Sequence, residues 1–225
     1  MINIWDAFLI TPLTTSLIYL YNLLGQNLGW AIIGLTLVLR VLVFPLSLPA
    51  LKSARVQREI QPELEKLKKK YKNDRQAQSQ AQMELFKKRG VNPFAGCLPQ
   101  LLQLVILIAL YQVFIANLTN GTLNHQFLFW DLSVKDPFFI LPILAAGAQF
   151  LVSKTMLPAV SQEHEAAHAS KGKSDDFATA FQKQNLYIFP IFTLVLGFQF
   201  PAGLMLYWLI STMVQALQQW VVNKI

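Results

Sequence analysis

Arg40 lies in the middle of an apolar segment, GLTLVLRVLVFPL, which covers residues 34–46. A guanidinium near the centre of a lipid bilayer costs about 2.5 kcal/mol or more. The apolar segments of this chain contain no Asp or Glu that could neutralise it. Arg40 therefore predicts a functional site, because an unpaired cation in a water-filled pocket attracts anionic groups from another molecule.

Further polar side chains recur at helical spacing within the apolar segments. Thr36 precedes Arg40 by one turn, and Gln100 and Gln103 share a face of a later helix. In the last segment the spacing i, i+4, i+7, i+11 is occupied by Trp208, Thr212, Gln215 and Gln219. Lipid cannot satisfy their hydrogen bonds, so these groups predict a water-filled recess with Arg40 at its closed end. Each Gln or Thr alone is also consistent with helix–helix packing.

Residues 164–168 read HEAAH and match the H-E-x-x-H pattern of zinc metalloproteases, in which two histidines bind zinc and the glutamate is the base. A catalytic site needs a third ligand, and the acids that follow are Asp175 and Asp176, in a Lys-, Gly- and Ser-rich stretch. These residues favour a chance match. A protease is thus the weakest function class, and we expect neither metal nor cofactor.

The composition is that of a membrane protein. Hydrophobic residues make up 54% of the 225 residues, charged residues make up 14%, and the mean hydropathy is +0.40. Soluble domains usually carry about 25% charged residues. The single Cys97 excludes an internal disulfide. The N-terminus has neither a basic region nor a small-residue cleavage site, so no removable signal peptide is expected.

Five segments are apolar and long enough to suggest membrane-spanning helices, which need about 20 residues. The sequence therefore predicts an all-α membrane protein with spans over residues 30–48, 98–118, 138–157, 186–200 and 202–222. Pro201 and Gly203 predict a tight turn between the last two spans.

The basic residues predict the orientation of these spans. The loop 49–97 holds twelve of the nineteen Lys and Arg residues, and the loop 158–185 holds three more. The loop 119–137 has one Lys against two Asp. Because cytoplasmic loops carry the excess of Lys and Arg, we expect the first two loops in the cytoplasm. The N-terminus is then outside and the C-terminus inside.

Residues 1–29 predict an amphipathic helix on the outer interface, followed by an elbow into the first span. Its apolar residues recur at helical spacing from Leu13 to Leu24. Gly25 and Gly29 fit either a helix break or a GxxxG dimerisation face.

The cytoplasmic segment 49–97 predicts an antiparallel hairpin of two helices. One apolar stripe runs from Val56 to Tyr71, and the return stripe runs from Ala77 to Leu85. The basic run Lys68, Lys69 and Lys70 fits either a solvated face or contact with anionic lipid headgroups or ribosomal RNA.

Five motifs in chain order together resemble the YidC/Oxa/Alb family of membrane protein insertases in its short bacterial form. They cover nearly the whole chain: Thr36 and Arg40 with FPL at 44–46, Gln61-Pro62, VNPFAGCLP at 91–99, FLFWDL at 127–132 with Asp136-Pro137, and FPAGL at 200–204 with Leu206, Tyr207 and Trp208.

The resemblance implies a hydrophilic groove that is open to the cytoplasm and to lipid, with Arg40 as its basic residue. Gln103 matches a groove position, and Tyr207 and Trp208 match residues along the substrate path. Substrates would be small membrane proteins, mostly with one or two spans, whose acidic tails are drawn toward Arg40. The resemblance places the protein in the bacterial inner (plasma) membrane.

The expected partners are nascent membrane proteins, the Sec translocon, the ribosome and anionic lipids, without sequence-specific binding of nucleic acid. No covalent chemistry is needed, so the protein is not expected to be an enzyme. A small anion transporter is the alternative, because Arg40 and the glutamines could bind an anion.

Overall fold

The computed structural model describes residues 4–71, 74–90, 98–118, 123–156 and 177–224. Within these ranges the chain is almost entirely helical, with a π-helical turn before α1 and one two-stranded hairpin. The elements are α1 Thr11–Leu23, α2 Leu28–Glu59, α3 Gln61–Lys70, α4 Arg75–Lys88, α5 Leu98–Leu118, β1 Gln126–Phe127, β2 Trp130–Asp131, α6 Ile140–Met156, α7 Phe177–Gly197 and α8 Ala202–Lys224. The HEAAH segment 164–168 and the motif at 91–97 lie outside the described residues.

Each of the five predicted spans coincides with a helix, but the helices differ in apolar length. In the described ranges, the 26-residue segment Leu28–Ser53 is long and apolar enough by itself to cross a membrane. Three shorter apolar stretches lie in α5, α6 and α7: Leu101–Ala116, Ile140–Lys154 and Tyr187–Gly197.

The helix that carries Arg40 is longer than the sequence predicts. The predicted span ends at residue 48, whereas α2 continues through Pro45 and Pro49 to Glu59. Proline removes a backbone hydrogen bond and usually ends or kinks a helix. Here the end of α2 packs against α8, where Arg55 Nη1 donates to the Val222 carbonyl at 3.4 Å. Contact with α8 therefore stabilises a stretch of helix that proline alone would be expected to end.

The first arm of the predicted hairpin is divided between two helices. The stripe from Val56 to Tyr71 was expected to form one helix, but α2 ends at Glu59 and α3 begins at Gln61. Pro62 explains the new start, because proline lacks an N–H and is favoured in the first turn of a helix. The end of α2, α3 and α4 share a small core made of Val56, Ile60, Leu64, Leu85 and Phe86.

The main core closes the end of the bundle that is remote from the α3–α4 hairpin. It combines the start of α2, the second half of α5 and the start of α8. Its fully buried side chains include Leu28, Phe114, Leu204 and Met205. Arg40 lies five residues beyond the buried Leu35 of this core, about 7.5 Å along the helix. The site therefore begins where the apolar core ends.

The loop between α5 and α6 is fixed to that closed end by hydrogen bonds. Asn27 Nδ2 donates to the Gln126 carbonyl at 3.2 Å, and Gly203 N donates to the Leu132 carbonyl at 3.0 Å. Asp131 accepts hydrogen bonds from Ser133. Burial opposes ionisation of Asp131, but these hydrogen bonds and the nearby His125 lower its pKa.

Gly25 and Gly29 serve different purposes in the elbow. Gly25 has a φ of 76° directly after α1, a conformation that glycine adopts without steric cost. Gly29 lies against the ring of Phe127, and a Cβ there would meet ring carbons at 2.1 Å. Gly25 therefore marks a helix break, and Gly29 allows Phe127 to approach the start of α2 closely.

Candidate functional site

Arg40 projects from α2 toward α5 and α8, where three neutral side chains bind its guanidinium. Nε donates to Ser211 Oγ at 2.8 Å. Nη2 donates to Gln103 Oε1 at 3.1 Å and to Gln215 Oε1 at 3.3 Å. No salt bridge joins Arg40 to an acid in the described ranges. Within the described part of the chain, the charge is therefore held in position by neutral groups.

A wider hydrogen-bond network orients these partners. Ser211 Oγ donates to Gln103 Oε1 at 3.0 Å, and Gln103 Nε2 donates to the Tyr207 hydroxyl at 3.1 Å. Gln218 Nε2 donates to the Arg40 carbonyl at 3.1 Å. Each polar group thus restrains another, which fixes the guanidinium between three helices.

Thr36 lies in the wall of the same site but does not contact the guanidinium. Its hydroxyl is buried and donates to the Ile32 carbonyl one turn earlier, at 2.6 Å. This local bond uses the hydroxyl proton within α2, while the residue lines the recess. Thr36 therefore shapes the recess rather than holding the charge.

The recess around Arg40 is far narrower than the water-filled groove expected from the sequence. Its volume is about 10 Å³, which is roughly the room for one water molecule. The amide of Gln103 lines the recess, and it and the amide of Gln215 both accept hydrogen bonds from the guanidinium. The lining residues run from Thr36 to Ser47 on α2 and include Tyr207 and Ser211 of α8.

A larger, apolar cavity of about 310 Å³ lies beside this recess, between α5, α7 and α8. Gln103 lines both spaces, so it forms part of the boundary between them. Trp208 closes the cavity on the α8 side. The other lining residues are apolar: Leu101, Leu104, Leu107, Ile188, Phe189 and Phe192.

The polar row predicted on the last helix is split between two faces. Gln215 faces Arg40, whereas Thr212 Oγ1 donates to Gln149 Oε1 of α6 at 3.5 Å. Successive residues of a helix are 100° apart, so Trp208 and Thr212 lie beside the row that faces Arg40. That row contains Tyr207, Ser211, Gln215 and Gln218.

Two members of this row were missed by the sequence analysis, Ser211 and Gln218. Ser211 stands four residues after Tyr207 and four before Gln215, so the helical spacing would have identified it. The predicted Gln100 lies at the start of α5, but its side chain is outside the described part of the structure.

The basic run of the hairpin is remote from Arg40, at the end of α3. Lys69 and Lys70 are exposed, and Lys70 Nζ lies 5.2 Å from the centroid of the Tyr71 ring. The side chain of Lys68 is outside the described set. In the described ranges no three His, Cys, Asp or Glu residues form a group that could hold a metal ion.

Comparison with known proteins gives one consistent family. The family model described as "60Kd inner membrane protein" matches residues 19–225. "Membrane protein insertase MisCA" of Bacillus subtilis (strain 168) is 35% identical over 225 residues, which cover 98% of this chain and 80% of that protein. "Membrane protein insertase YidC" of Fusobacterium nucleatum is 36% identical over 220 residues, covering 92% of this chain and 98% of the relative. For the protein of the same name from Campylobacter jejuni the identity is 35%, and the match covers 98% of this chain but 38% of the relative.

Proposed function

Because the chain belongs to the 60Kd inner membrane protein family, we propose that it is a membrane protein insertase in which Arg40 draws acidic substrate tails into the membrane. The relatives described above carry the name membrane protein insertase, and their similarity extends over nearly the whole chain. This supports the insertase activity. The route of the substrate rests on the geometry of Arg40 and its neighbours.

The observation that carries the route is the guanidinium of Arg40, which is half-buried between apolar helices and bonded to neutral groups. A substrate carboxylate competes with the amide oxygens of Gln103 and Gln215 for the same N–H groups. The bonds from Arg40 to these amides are already charge-assisted, but a carboxylate adds the Coulomb attraction of a full negative charge. The exchange therefore favours the acidic tail and offsets part of its desolvation.

The recess must open before a tail can enter, because about 10 Å³ does not accommodate a peptide. Rotation of the Gln103 and Gln215 amides away from the guanidinium uncovers Nη2. Each hydrogen bond to a charged group contributes about 1.5–3 kcal/mol, and the bonds that an entering carboxylate forms replace those that the amides give up. The narrow recess also keeps water and ions from crossing while no substrate is bound.

The apolar cavity between α5 and α7 supports a lateral exit for the substrate's apolar segment. Gln103 borders both spaces, so a segment whose tail binds Arg40 has its apolar part beside this cavity. Transfer of that segment to lipid releases about 25 cal/mol for each Å² of apolar surface removed from water. We propose that this burial drives the step.

We further propose that α2, α5, α6, α7 and α8 each cross the bacterial inner membrane, with the N-terminus outside. The charge difference between the loops supports this orientation. The membrane potential is positive outside and would pull a carboxylate outward. Exposed Lys69 and Lys70 are then cytoplasmic and available to anionic lipid headgroups or to a ribosome, and the Sec translocon is a further candidate partner.

Reconstitution tests the proposed activity. The purified chain is incorporated into lipid vesicles, and a single-span substrate with an acidic tail is added. We expect the tail to become protected from external protease in these vesicles and not in empty ones. If the tail stays accessible while the vesicles take up chloride, the protein is a small anion transporter instead. Rescue of a bacterium depleted of its own insertase is the matching test in cells.

Ser211 provides a test of the Arg40 geometry. Ser211→Ala removes the acceptor for Arg40 Nε, and hydrogen bonds to charged groups contribute about 1.5–3 kcal/mol. Since the glutamines remain, we expect insertion of an acidic-tailed substrate to slow several-fold. Thr212→Ala on the neighbouring face is the control and should leave the ratio of acidic to neutral substrates unchanged. Equal ratios for both variants would contradict the assignment.

A further inference from the structure

The loop between α5 and α6 has an unusual distribution of polar and apolar groups. Its exposed side chains include Leu128, Phe129, Phe138 and Phe139, with Leu128 77% and Phe129 61% exposed. Of its two acids, Asp136 is buried and its Oδ2 accepts from Leu141 N at 2.7 Å, while the half-buried Asp131 accepts from Ser133 within the loop. A loop that faces water normally has the opposite arrangement.

Two apolar residues of this loop, one at the hairpin tip and one before α6, adopt backbone conformations that cost free energy. Leu128 and Phe139 both have a φ of 56°, in the left-handed region that bulky residues rarely adopt. Leu128 is the first residue of the two-residue turn between β1 and β2, a position where a positive φ favours glycine. Conformations of this kind persist where the surroundings determine them and often mark functional segments.

Hydrogen bonds and ring contacts fix the position of the loop along the axis of the helix bundle. Asn27 ties it to the start of α2, and Gly203 ties it to the start of α8. Phe139 contacts the ring of Phe198, which directly follows α7, with centroids 5.0 Å apart. Trp30, in the first turn of α2, contacts Phe127 edge to face at 5.6 Å. These aromatic rings all lie within about one helical turn of the same end of the bundle.

We propose that the tip of this loop, Leu128 and Phe129, inserts into the outer leaflet and anchors the closed end of the bundle at the membrane interface. This inference rests on the membrane placement in the proposed function. Trp and Tyr concentrate at the level of the lipid headgroups in membrane proteins, and interfacial segments bury Trp, Phe and Leu just below that level. A lipid surface also removes the exposed apolar side chains from water, which explains why the strained turn presents them.

Fluorescence quenching tests the proposal on the full chain with Cys97→Ser. Leu128→Cys and Phe129→Cys are labelled with a polarity-sensitive dye in vesicles of phosphatidylethanolamine and phosphatidylglycerol. One vesicle set carries a nitroxide near the lipid headgroup, and another carries it at the chain end. Lys135→Cys, exposed in the same loop, is the aqueous control. Val41→Cys, 70% exposed on α2, is the control for the membrane interior.

We expect the shallow nitroxide to quench both tip labels about twofold more than the label at Lys135→Cys, with little quenching by aqueous iodide. Tip labels that iodide quenches as strongly as the loop control overturn the anchor. Tip labels shielded from both quenchers also overturn it, because a protein then covers the tip.

The controls separate failure of this inference from failure of the proposed function. If the deep nitroxide does not quench Val41→Cys, α2 does not span the membrane and both proposals fall. If it does, an unquenched tip overturns the anchor alone. Arg40→Ala is expected to leave the tip signals unchanged, since Arg40 bonds to α5 and α8 and not to the loop.

Discussion

Arg40→Ala is expected to lower the insertion of acidic-tailed substrates about tenfold or more. Two unit charges 4 Å apart attract by roughly 4 kcal/mol at an effective dielectric constant of 20. The bonds that Gln103 and Gln215 give up offset part of this gain. A remainder of about 1.4 kcal/mol still corresponds to a factor of ten. The measurement is the initial rate of tail protection in reconstituted vesicles.

The substrate supplies the control for this variant. A substrate whose tail acids are replaced by amides should be inserted slowly by the wild type and little changed by Arg40→Ala. Arg40→Lys keeps the charge but not the planar fork that reaches Ser211, Gln103 and Gln215 together, so we expect it to retain most of the preference at a reduced rate. Equal losses for acidic and amidated tails would refute the electrostatic role of Arg40.

Gly29→Ala is expected to have the largest effect on stability. The added Cβ would lie 2.1 Å from carbons of the Phe127 ring, so either the ring or the start of α2 must move. Phe127 is buried and contacts Trp30, and its loop is tied to Asn27, which leaves little freedom to adjust. Overpacking of this kind costs about 1–3 kcal/mol, which corresponds to roughly 2–12 °C in the unfolding temperature of a chain of this size.

Two companion variants identify the cause of this loss. Gly147 lies in α6 with no atom within 4 Å of an added Cβ, so Gly147→Ala should be neutral or slightly stabilising. Adding Gly29→Ala to Phe127→Ala should cost little more than Phe127→Ala alone, since the contact is already gone. Additive losses, or equal effects at Gly29 and Gly147, would exclude the proposed clash. Thermal unfolding of the purified variants decides between these results.

Local patterns predicted much of the secondary structure. Apolar runs and helical spacing anticipated helices over the five proposed spans and over residues 12–24. They failed at Pro49, where the predicted span ended, because proline weakens a helix locally while contact with α8 supplies the missing stability. They also placed the hairpin's first arm in one helix, because an apolar stripe can continue across a break such as Ile60.

The candidate site was likewise predicted in part. Arg40, Thr36, Gln103, Tyr207 and Gln215 were predicted and lie together, whereas Thr212 and Trp208 face other neighbours. Spacing along a helix shows which residues share a face, but it does not show which of two adjacent faces meets a given partner. The orientation of α8 about its own axis decides which of its faces meets Arg40, and it places Ser211 at the guanidinium.

By itself, the sequence determined that Arg40 lies in an apolar segment and that none of the five apolar segments contains an acid. It also determined that basic residues are concentrated between residues 52 and 89. Both properties depend only on residue types and their positions along the chain, so no coordinates are needed. Only the tertiary structure decided that Ser211, Gln103 and Gln215 hold Arg40, that its recess is narrow, and that Phe127 packs on Gly29. These depend on the rotation and separation of helices, which are set by packing between residues far apart in the chain.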